Sequence, residues 1–187
     1  MAIYLIRHGE TVWALDHRHT GTSDIPLTAR GEEQARELSA RLAGIQFARV
    51  LASPMQRARV TAELAGVRPM AEISPLLMEF NYGTYEGITS AEIEQSRPDW
   101  DIWRDGCPGG ESPQQVLNRS RRLLQELSPQ EDKNFALFAH GHLLRAVAVA
   151  YLGLPLDLCR HLVLSVASIS ILSQEHGIPA IDAWNLT

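Results

Sequence analysis

Two histidines stand where short apolar runs of the chain reach a glycine. Residues 3–9 read Ile-Tyr-Leu-Ile-Arg-His-Gly and contain His8, and residues 135–142 read Phe-Ala-Leu-Phe-Ala-His-Gly-His and contain His140. Each run predicts a buried strand followed by a turn. Ligands of open α/β sheets bind at the carboxyl ends of the strands. Two histidines at such ends, with arginines close by, indicate chemistry on a phosphate ester.

His8 is the candidate nucleophile. A neutral imidazole has a lone pair that can attack phosphorus and form a covalent intermediate. The charge of the adjacent Arg7 would lower the pKa of His8, and its planar guanidinium can bind two phosphate oxygens. The alternative is a surface arginine–histidine pair at a strand end. For His140 the alternative is a buried histidine that bonds to the backbone.

Histidine pairs also raise the question of a metal site. His140 and His142 stand two residues apart, as do His17 and His19. No carboxylate or thiolate stands at ligand spacing from either pair. We therefore expect no metal, and we expect His17 and His19 to lie in a solvated loop.

Arg57 is a candidate anion-binding residue because it follows a strong helix start, Ser53-Pro54-Met55-Gln56. In this start serine is the cap, proline stands in the first turn, and glutamine completes a capping box. A helix N-terminus attracts anions through its free N–H groups and its dipole, and Arg57 would add a full charge. The alternative is a solvated helix arginine, which would also suit Arg59.

Glu79 is a candidate proton donor for a leaving alkoxide. It lies in the mostly apolar segment 77–83, where partial burial favours a carboxyl group that keeps its proton near neutral pH. Glu86 competes for this role, and the residue types alone do not separate the two. Tyr82 and Tyr85 line a pocket in one interpretation and pack under a loop in the other.

The elements that must position these residues alternate along the chain. Strands are predicted at 2–6, 47–52, 70–73 and 135–139, with a closing pair at 168–173 and 178–183, and helices at 28–42, 53–65, 89–97, 112–127 and 143–152. This alternation predicts an α/β fold, a three-layer helix–sheet–helix sandwich with a largely parallel central sheet. Residues 77–115 interrupt it and are expected to form a small cap insertion in a single domain over residues 1–187.

Composition limits the classes of partner. The chain has 187 residues, a net charge of −5 and 45% hydrophobic residues, which suits one globular domain and argues against a nucleic-acid binder. No apolar run approaches the roughly 20 residues of a membrane span, and no basic leader precedes the first strand, so the expected location is cytoplasmic. Cys107 and Cys159 have no metal-type spacing and are expected to be reduced. The sequence does not decide between a monomer and a homodimer.

Several spaced motifs together resemble the histidine phosphatase superfamily, which has a phosphoglycerate-mutase-like fold. The motifs stand in the family's order at residues 7–11, 20–28, 53–58, 79–87, 110–112 and 140–142. The resemblance implies that His8 is the phosphorylated nucleophile and that Glu79, not Glu86, is the proton donor. It also implies that Arg7, Arg57 and a charged His140 form the phosphate pocket. Thr20 and Gly21 match substrate-contacting positions, which Tyr82, Gly141 and His142 are expected to join. No metal or cofactor is implied.

Within the family, residues 103–107 and 138–145 are similar to the sedoheptulose-bisphosphatase type and to related acid phosphatases. Phe80 and Asn81 follow Glu79, where the mutases have arginine and histidine, and Ala14 stands where many members have a polar residue. We therefore expect a metal-independent phosphatase for small phosphate monoesters, including sugar phosphates or bisphosphates, with a small phosphorylated metabolite as its partner. Phosphoglycerate mutase and a non-catalytic phosphate-binding module are the alternatives. Arg104 and Arg145 are candidates for a second phosphate, or are surface arginines.

Overall fold

A mostly parallel sheet forms the centre of the protein. The computed structural model describes residues 2–127 and 133–187, and the strands in them are β1 (Ala2–Arg7), β2 (Phe47–Ala52), β3 (Glu72–Ile73), β4 (Asn134–Ala139), β5 (Ile169–Glu175) and β6 (Ile178–Leu186). They lie in the order β3-β2-β4-β1-β5-β6. The first four are parallel, and β5 and β6 are antiparallel additions beside β1.

Helices cover both faces of this sheet. The helices of the described residues are α1 (Val12–Leu15), α2 (Ala29–Leu42), α3 (Gln56–Leu64), α4 (Ser90–Ser96), α5 (Ile102–Asp105), α6 (Pro113–Leu127) and α7 (Gly141–Leu152). Short 3-10 turns lie at Pro75–Leu77, Gly83–Tyr85 and Leu156–His161. Helices α2 and α3 share one apolar cluster with the sheet, and α6 and α7 share the other. The predicted three-layer sandwich is therefore confirmed.

The central strands are apolar throughout because both of their faces are covered. In β1, Ile3 and Leu5 pack in the cluster with α6 and α7, while Ile6 packs on the opposite side with α2 and α3. Strand β4 alternates in the same way, with Leu137 on one side and Phe138 on the other. Parallel strands buried on two faces appear in a sequence as unbroken apolar runs, which explains why these two were predicted closely.

The helix start predicted at Ser53 is wrong. Helix α3 begins at Gln56 with Met55 as its N-cap, and no side chain caps it. Ser53 Oγ lies 2.7 Å from His140 Nε2, and the Gln56 side chain donates to the Asp24 carbonyl. Both members of the expected box are therefore engaged in contacts between elements. The boxes at Thr89 and Ser112 form as predicted.

Other differences are small. The strand predicted at 70–73 contains only Glu72–Ile73, and α7 begins at Gly141, two residues before its predicted start. Helices α1 and α5 were not predicted because four residues are too few to show helical periodicity. Cys107 and Cys159 are buried and unpaired within the described residues. Within residues 2–127 and 133–187, no helix has the length and apolar character needed to cross a bilayer.

The turn after β1 is fixed by two glycines in close contact. A Cβ atom on Gly9 would lie 2.3 Å from the carbonyl oxygen of Gly31, and a Cβ atom on Gly31 would lie 2.2 Å from that of Glu10. The Gly9 N–H also donates to Thr61 Oγ1 at 3.0 Å. Only glycine allows α2 to approach this closely, so His8 projects from a turn that the helix layer holds in place.

Candidate active site

A cavity of about 230 Å³ opens at the carboxyl ends of β1 and β4. The residues that line it are Arg7, His8, Ala14, His17, Arg18, His19, Thr20, Glu79, Tyr82, Ser90, Gly141, His142 and Arg145. A larger groove of about 480 Å³ lies beside α3 and β3, but no histidine lines it. The polar cavity is therefore the candidate site for chemistry.

The ring of His8 is held in one tautomer. His8 Nδ1 lies 2.7 Å from the Gly9 carbonyl oxygen. Because a carbonyl can only accept, Nδ1 carries the proton and Nε2 keeps the lone pair. Burial, and then the charges of Arg7 and Arg57, hold the pKa of His8 well below its usual 6.5. The imidazole is therefore neutral, with Nε2 left for a reacting atom.

Arg7 lines the cavity and has one buried donor without a partner in the part of the chain that the structure describes. Its Nη1 donates to the Leu164 carbonyl at 2.5 Å, while Nε is buried and has no hydrogen-bond partner among the described residues. Burial lowers the pKa of Arg7, and the nearby Glu79 opposes this shift. A buried donor without a partner is costly. Since Arg7 lines the cavity beside His8, its positive charge would attract an anion there.

Arg57 and His140 lie behind the cavity wall. Arg57 is fully buried and lines no part of the cavity. Its Nε donates to His140 Nδ1 at 3.1 Å. The other guanidinium nitrogens donate to backbone carbonyls, Nη1 to Ser23 at 2.8 Å and Nη2 to Thr20 and Gly21 at 3.0 Å each. This geometry makes Arg57 a support for the 20–23 loop, and a direct contact between Arg57 and phosphate stays a prediction.

The hydrogen bonds of His140 fit a neutral ring, whereas the sequence led us to expect a charged one. A guanidinium can only donate, so His140 Nδ1 accepts from Arg57 and the ring proton stands on Nε2, which donates to Ser53 Oγ. Burial, and then the charge of Arg57, hold the pKa of His140 well below 6.5. The ring packs edge-on against His8 with the centroids 5.2 Å apart. His140 therefore packs against the candidate nucleophile as a neutral group.

Glu79 reaches the cavity with its carboxylate already bonded. Oε1 accepts the N–H groups of Phe80 at 2.9 Å and Leu143 at 2.8 Å, and Oε2 accepts that of His142 at 2.9 Å. Two of these donors belong to the first turn of α7. Glu79 is therefore buried, as expected, with backbone N–H groups bonded to its carboxylate. Each carboxylate oxygen has two lone pairs, so Oε2 is the oxygen with one still available.

Glu86, the other candidate proton donor, bonds to the backbone of the 20–23 loop. Its Oε1 accepts the N–H groups of Gly21 and Ser23, both at 2.9 Å, and it does not line the cavity. Glu86 therefore holds the same loop that Arg57 holds. Of the two candidate carboxylates, Glu79 is the one that lines the cavity.

The expected substrate contacts divide into two groups. Thr20, Tyr82, Gly141 and His142 line the cavity, and the Tyr82 hydroxyl lies 2.7 Å from His142 Nδ1. Gly21 does not line it. A Cβ atom on Gly21 would lie 2.6 Å from the Phe80 carbonyl oxygen, so this glycine serves a close backbone contact.

The sequence did not indicate all of the residues that line the cavity. Arg18, His19 and Ser90 were not assigned to the site, and the solvated loop expected for His19 is wrong. His19 is buried, its ring lies 4.7 Å from that of Tyr82, and burial lowers its pKa to about 4. His17 is exposed at the rim. An isolated histidine in a polar segment carries no signal that it will pack under an aromatic ring.

The two candidate arginines for a second phosphate differ in position. Arg145 lines the cavity, its Nε donates to the Gly141 carbonyl at 3.0 Å, and its guanidinium lies 5.4 Å from the centre of the Trp103 ring. Arg104 lies outside the cavity and is paired with Asp105. Within the described residues, no group of three or more side chains is arranged to hold a metal ion.

Three relatives share most of this chain. The chain is 39% identical to an acid phosphatase of Mycobacterium tuberculosis over 99% of this chain and 92% of the relative. It is 34% identical to a sedoheptulose 1,7-bisphosphatase of Saccharomyces cerevisiae over 80% of this chain and 67% of the relative. It is 32% identical to a probable phosphoglycerate mutase of Shigella boydii over 98% of this chain and 90% of the relative.

Structure comparison agrees with these relatives. A solved structure of an open reading frame of Mycobacterium tuberculosis superposes with a TM-score of 0.95 at 37% identity, covering 100% of this chain and 97% of the other. The family model of the histidine phosphatase superfamily, branch 1, matches residues 3–187. The expected resemblance is confirmed, and the chain belongs to the histidine phosphatase superfamily.

Proposed function

We propose that the chain is a metal-independent phosphatase that hydrolyses small phosphate monoesters through a phosphohistidine on His8. The observation that carries the proposal is the bond from His8 Nδ1 to the Gly9 carbonyl, which leaves the Nε2 lone pair for phosphorus. Arg7, which carries a positive charge, and Glu79 line the same cavity. Nucleophile, anion-binding donor and proton donor therefore meet at one place.

In the first step His8 Nε2 attacks phosphorus, and the bond between phosphorus and the ester oxygen breaks. The leaving oxygen takes a proton from Glu79, which becomes a carboxylate. Arg7 binds the phosphoryl oxygens as charge moves onto them. The phosphorylated ring is positive, and the Gly9 carbonyl that accepts from Nδ1 stabilises it.

In the second step the Glu79 carboxylate takes a proton from water while the water oxygen attacks phosphorus. The bond between nitrogen and phosphorus breaks, inorganic phosphate leaves, and His8 returns to its neutral form. Oε2 of Glu79 is the oxygen that moves the proton, because Oε1 already accepts two N–H groups. Holding reactants in place can supply about 7–11 kcal/mol of the reduction in barrier.

The cavity favours a small substrate that carries more than one negative charge. Its volume of about 230 Å³ is below the ~300–1,000 Å³ of sites for drug-sized ligands. Arg7, Arg18 and Arg145 line it, against one carboxylate among the lining residues described. Together with the sedoheptulose bisphosphatase relative, this supports sugar phosphates or bisphosphates as the substrate class.

The two alternatives have less support. Phe80 is fully buried and stacks on Tyr82 with ring centroids 5.9 Å apart, and the Asn81 side chain accepts from the Gly83 N–H. Neither residue lines the cavity, so neither holds a phosphoglycerate for return of the phosphoryl group, as a mutase requires. A module that binds phosphate without turnover needs neither a nucleophile nor a proton donor, so the presence of both His8 and Glu79 favours an enzyme. One domain over residues 1–187 and a cytoplasmic location remain predictions.

Replacing the nucleophile is expected to cost more than replacing the support behind it. His8→Ala removes the covalent route, whereas Arg57→Ala loosens the 20–23 loop and removes the donor to His140, a loss we place near the ~10²-fold that a displacement of about 1 Å can cost. Phosphate released from small esters by each folded variant measures this difference. We expect His8→Ala to fall below Arg57→Ala.

Comparable residual activity in the two variants would contradict the assignment of His8.

Incubating the wild-type protein with 3-phosphoglycerate tests the reaction class, with inorganic phosphate and 2-phosphoglycerate measured in parallel. Release of phosphate supports the hydrolase, and isomerisation without release of phosphate supports the mutase. Binding of small esters with no turnover of any would support the binding module.

In the first step, removing the proton donor is expected to matter mainly for poor leaving groups. In Glu79→Gln, we expect kcat/KM for an alkyl phosphate such as glycerol phosphate to fall by about 10²–10⁴-fold, the usual contribution of general acid catalysis. The value for 4-nitrophenyl phosphate should change far less, because nitrophenolate leaves without a proton. Equal losses with the two substrates would exclude Glu79 as the acid.

Arg145 is expected to recognise a second phosphate. In Arg145→Gln, the ratio of kcat/KM for a sugar bisphosphate to that for the matching monophosphate should fall by about tenfold or more, which corresponds to roughly 1.4 kcal/mol or more. Arg104→Gln is the matched control, since Arg104 lies outside the cavity. An unchanged ratio, with hydrolysis of the monophosphate intact, would show that Arg145 does not bind the second phosphate.

A further inference from the structure

An ion pair outside the cavity lies next to the segment that carries Glu79. Arg119 belongs to α6, and Glu111 lies just before that helix. Their contact is bidentate, with Arg119 Nε 3.0 Å from Glu111 Oε1 and Nη2 2.7 Å from Oε2. The side chains are only 16% and 21% exposed. A planar pair of this kind has a fixed geometry.

The remaining donors of Arg119 bind the backbone around Glu79. Nη1 donates to the carbonyls of Leu76 at 3.0 Å and Met78 at 2.6 Å, and Nη2 donates to the carbonyl of Glu79 at 3.3 Å. A guanidinium has five N–H groups, and the five contacts to Glu111 and these carbonyls employ all of them. One side chain therefore holds three carbonyls of a four-residue stretch.

Glu111 holds the same segment from the other side of Glu79. Its Oε2 accepts the N–H of Asn81 at 2.9 Å, and its own N–H donates to the Asn81 carbonyl at 2.9 Å. The approach is close, since a Cβ atom on the preceding Gly110 would lie 2.1 Å from the Asn81 carbonyl oxygen. The ion pair thus bonds to the chain before, at and after the proposed proton donor.

This attachment matters because the segment has little regular structure of its own. Apart from the 3-10 turn Pro75–Leu77, the residues from Ser74 to Asn81 form no helix or strand. Some of their backbone groups bond to other backbone groups, and the carbonyls of Leu76, Met78 and Glu79 take the Arg119 side chain as their donor. The carboxylate of Glu79 is fixed by the first turn of α7, and its backbone is fixed by the ion pair.

We propose that Arg119 and Glu111 are positioning residues for Glu79, which hold its Oε2 within hydrogen-bond reach of the leaving oxygen. The inference rests on the proposed role of Glu79 as proton donor. A displacement of about 1 Å in a catalytic group can cost ~10²-fold in rate. Lysine cannot replace Arg119, because an ammonium has three donors and no planar fork.

The test compares two substrates whose leaving groups differ in their need for a proton. In Arg119→Lys and in the isosteric Glu111→Gln, kcat/KM for glycerol phosphate is expected to fall by about 10–100-fold. The value for 4-nitrophenyl phosphate is expected to stay within about threefold of wild type, since its leaving group needs no acid. Arg122→Lys is the control, because Arg122 lies on the same helix and pairs with Glu126 at the surface.

A double variant makes the test specific to Glu79. If the ion pair acts only through Glu79, adding Glu111→Gln to Glu79→Gln causes no further loss with glycerol phosphate. Equal losses with both substrates, no loss with either, or a full additional loss in the double variant would each overturn the proposal. Glu111→Gln keeps the shape of the side chain, so it provides the test even if Arg119→Lys does not fold.

The result also separates this inference from the proposed function. Glu79→Gln is measured beside the other variants. If Glu79→Gln depends on the leaving group and the Arg119 and Glu111 variants do not, only the positioning role is wrong. If Glu79→Gln itself shows no such dependence, the proton-donor role is wrong and the positioning role falls with it.

Discussion

One hydrogen bond, from His8 Nδ1 to the Gly9 carbonyl, decides what the cavity can do. It fixes the tautomer of a buried imidazole whose proton would otherwise be free to stand on either nitrogen. Burial and the neighbouring arginines keep the ring neutral, so the lone pair on Nε2 is available without a separate base. The contact between Gly9 and Gly31 holds the turn that forms this bond, which links the helix packing of the fold to the state of one nitrogen.

The site combines buried cations with very few anions. Arg7 keeps a donor unpaired, Arg57 directs its donors to backbone carbonyls and His140, and both arginines lower the pKa of His8. The first turn of α7, a natural anion site, is occupied by the carboxylate of Glu79. The protein therefore satisfies that helix end internally, and in the proposed mechanism Arg7 is the group that attracts the phosphoryl group of a substrate.

The sequence predicted the parts of this arrangement that arise locally. Apolar runs ending at Gly9 and Gly141 located both histidines, because strands buried on two faces leave a clear pattern. The resemblance to a family separated Glu79 from Glu86, which residue types could not do. The capping box at Ser53 was wrong because the Ser53 hydroxyl bonds to His140 at the end of the neighbouring strand. The hydrogen bond that His140 accepts from Arg57 fits a neutral ring where a charged one was expected. The sequence did not single out Arg119, because the carbonyls that accept its hydrogen bonds lie about 40 residues away in the chain and approach it only in the folded protein.

The account depends most directly on a covalent bond between His8 and phosphorus. Rapid quenching during turnover of a ³²P-labelled monoester, followed by peptide mapping under alkaline conditions, measures that bond. We expect up to one labelled phosphate per chain, bound to His8, in an acid-labile linkage that forms and decays as fast as the substrate is hydrolysed. Hydrolysis at full rate with the label absent from His8, or bound to another residue, would contradict the account.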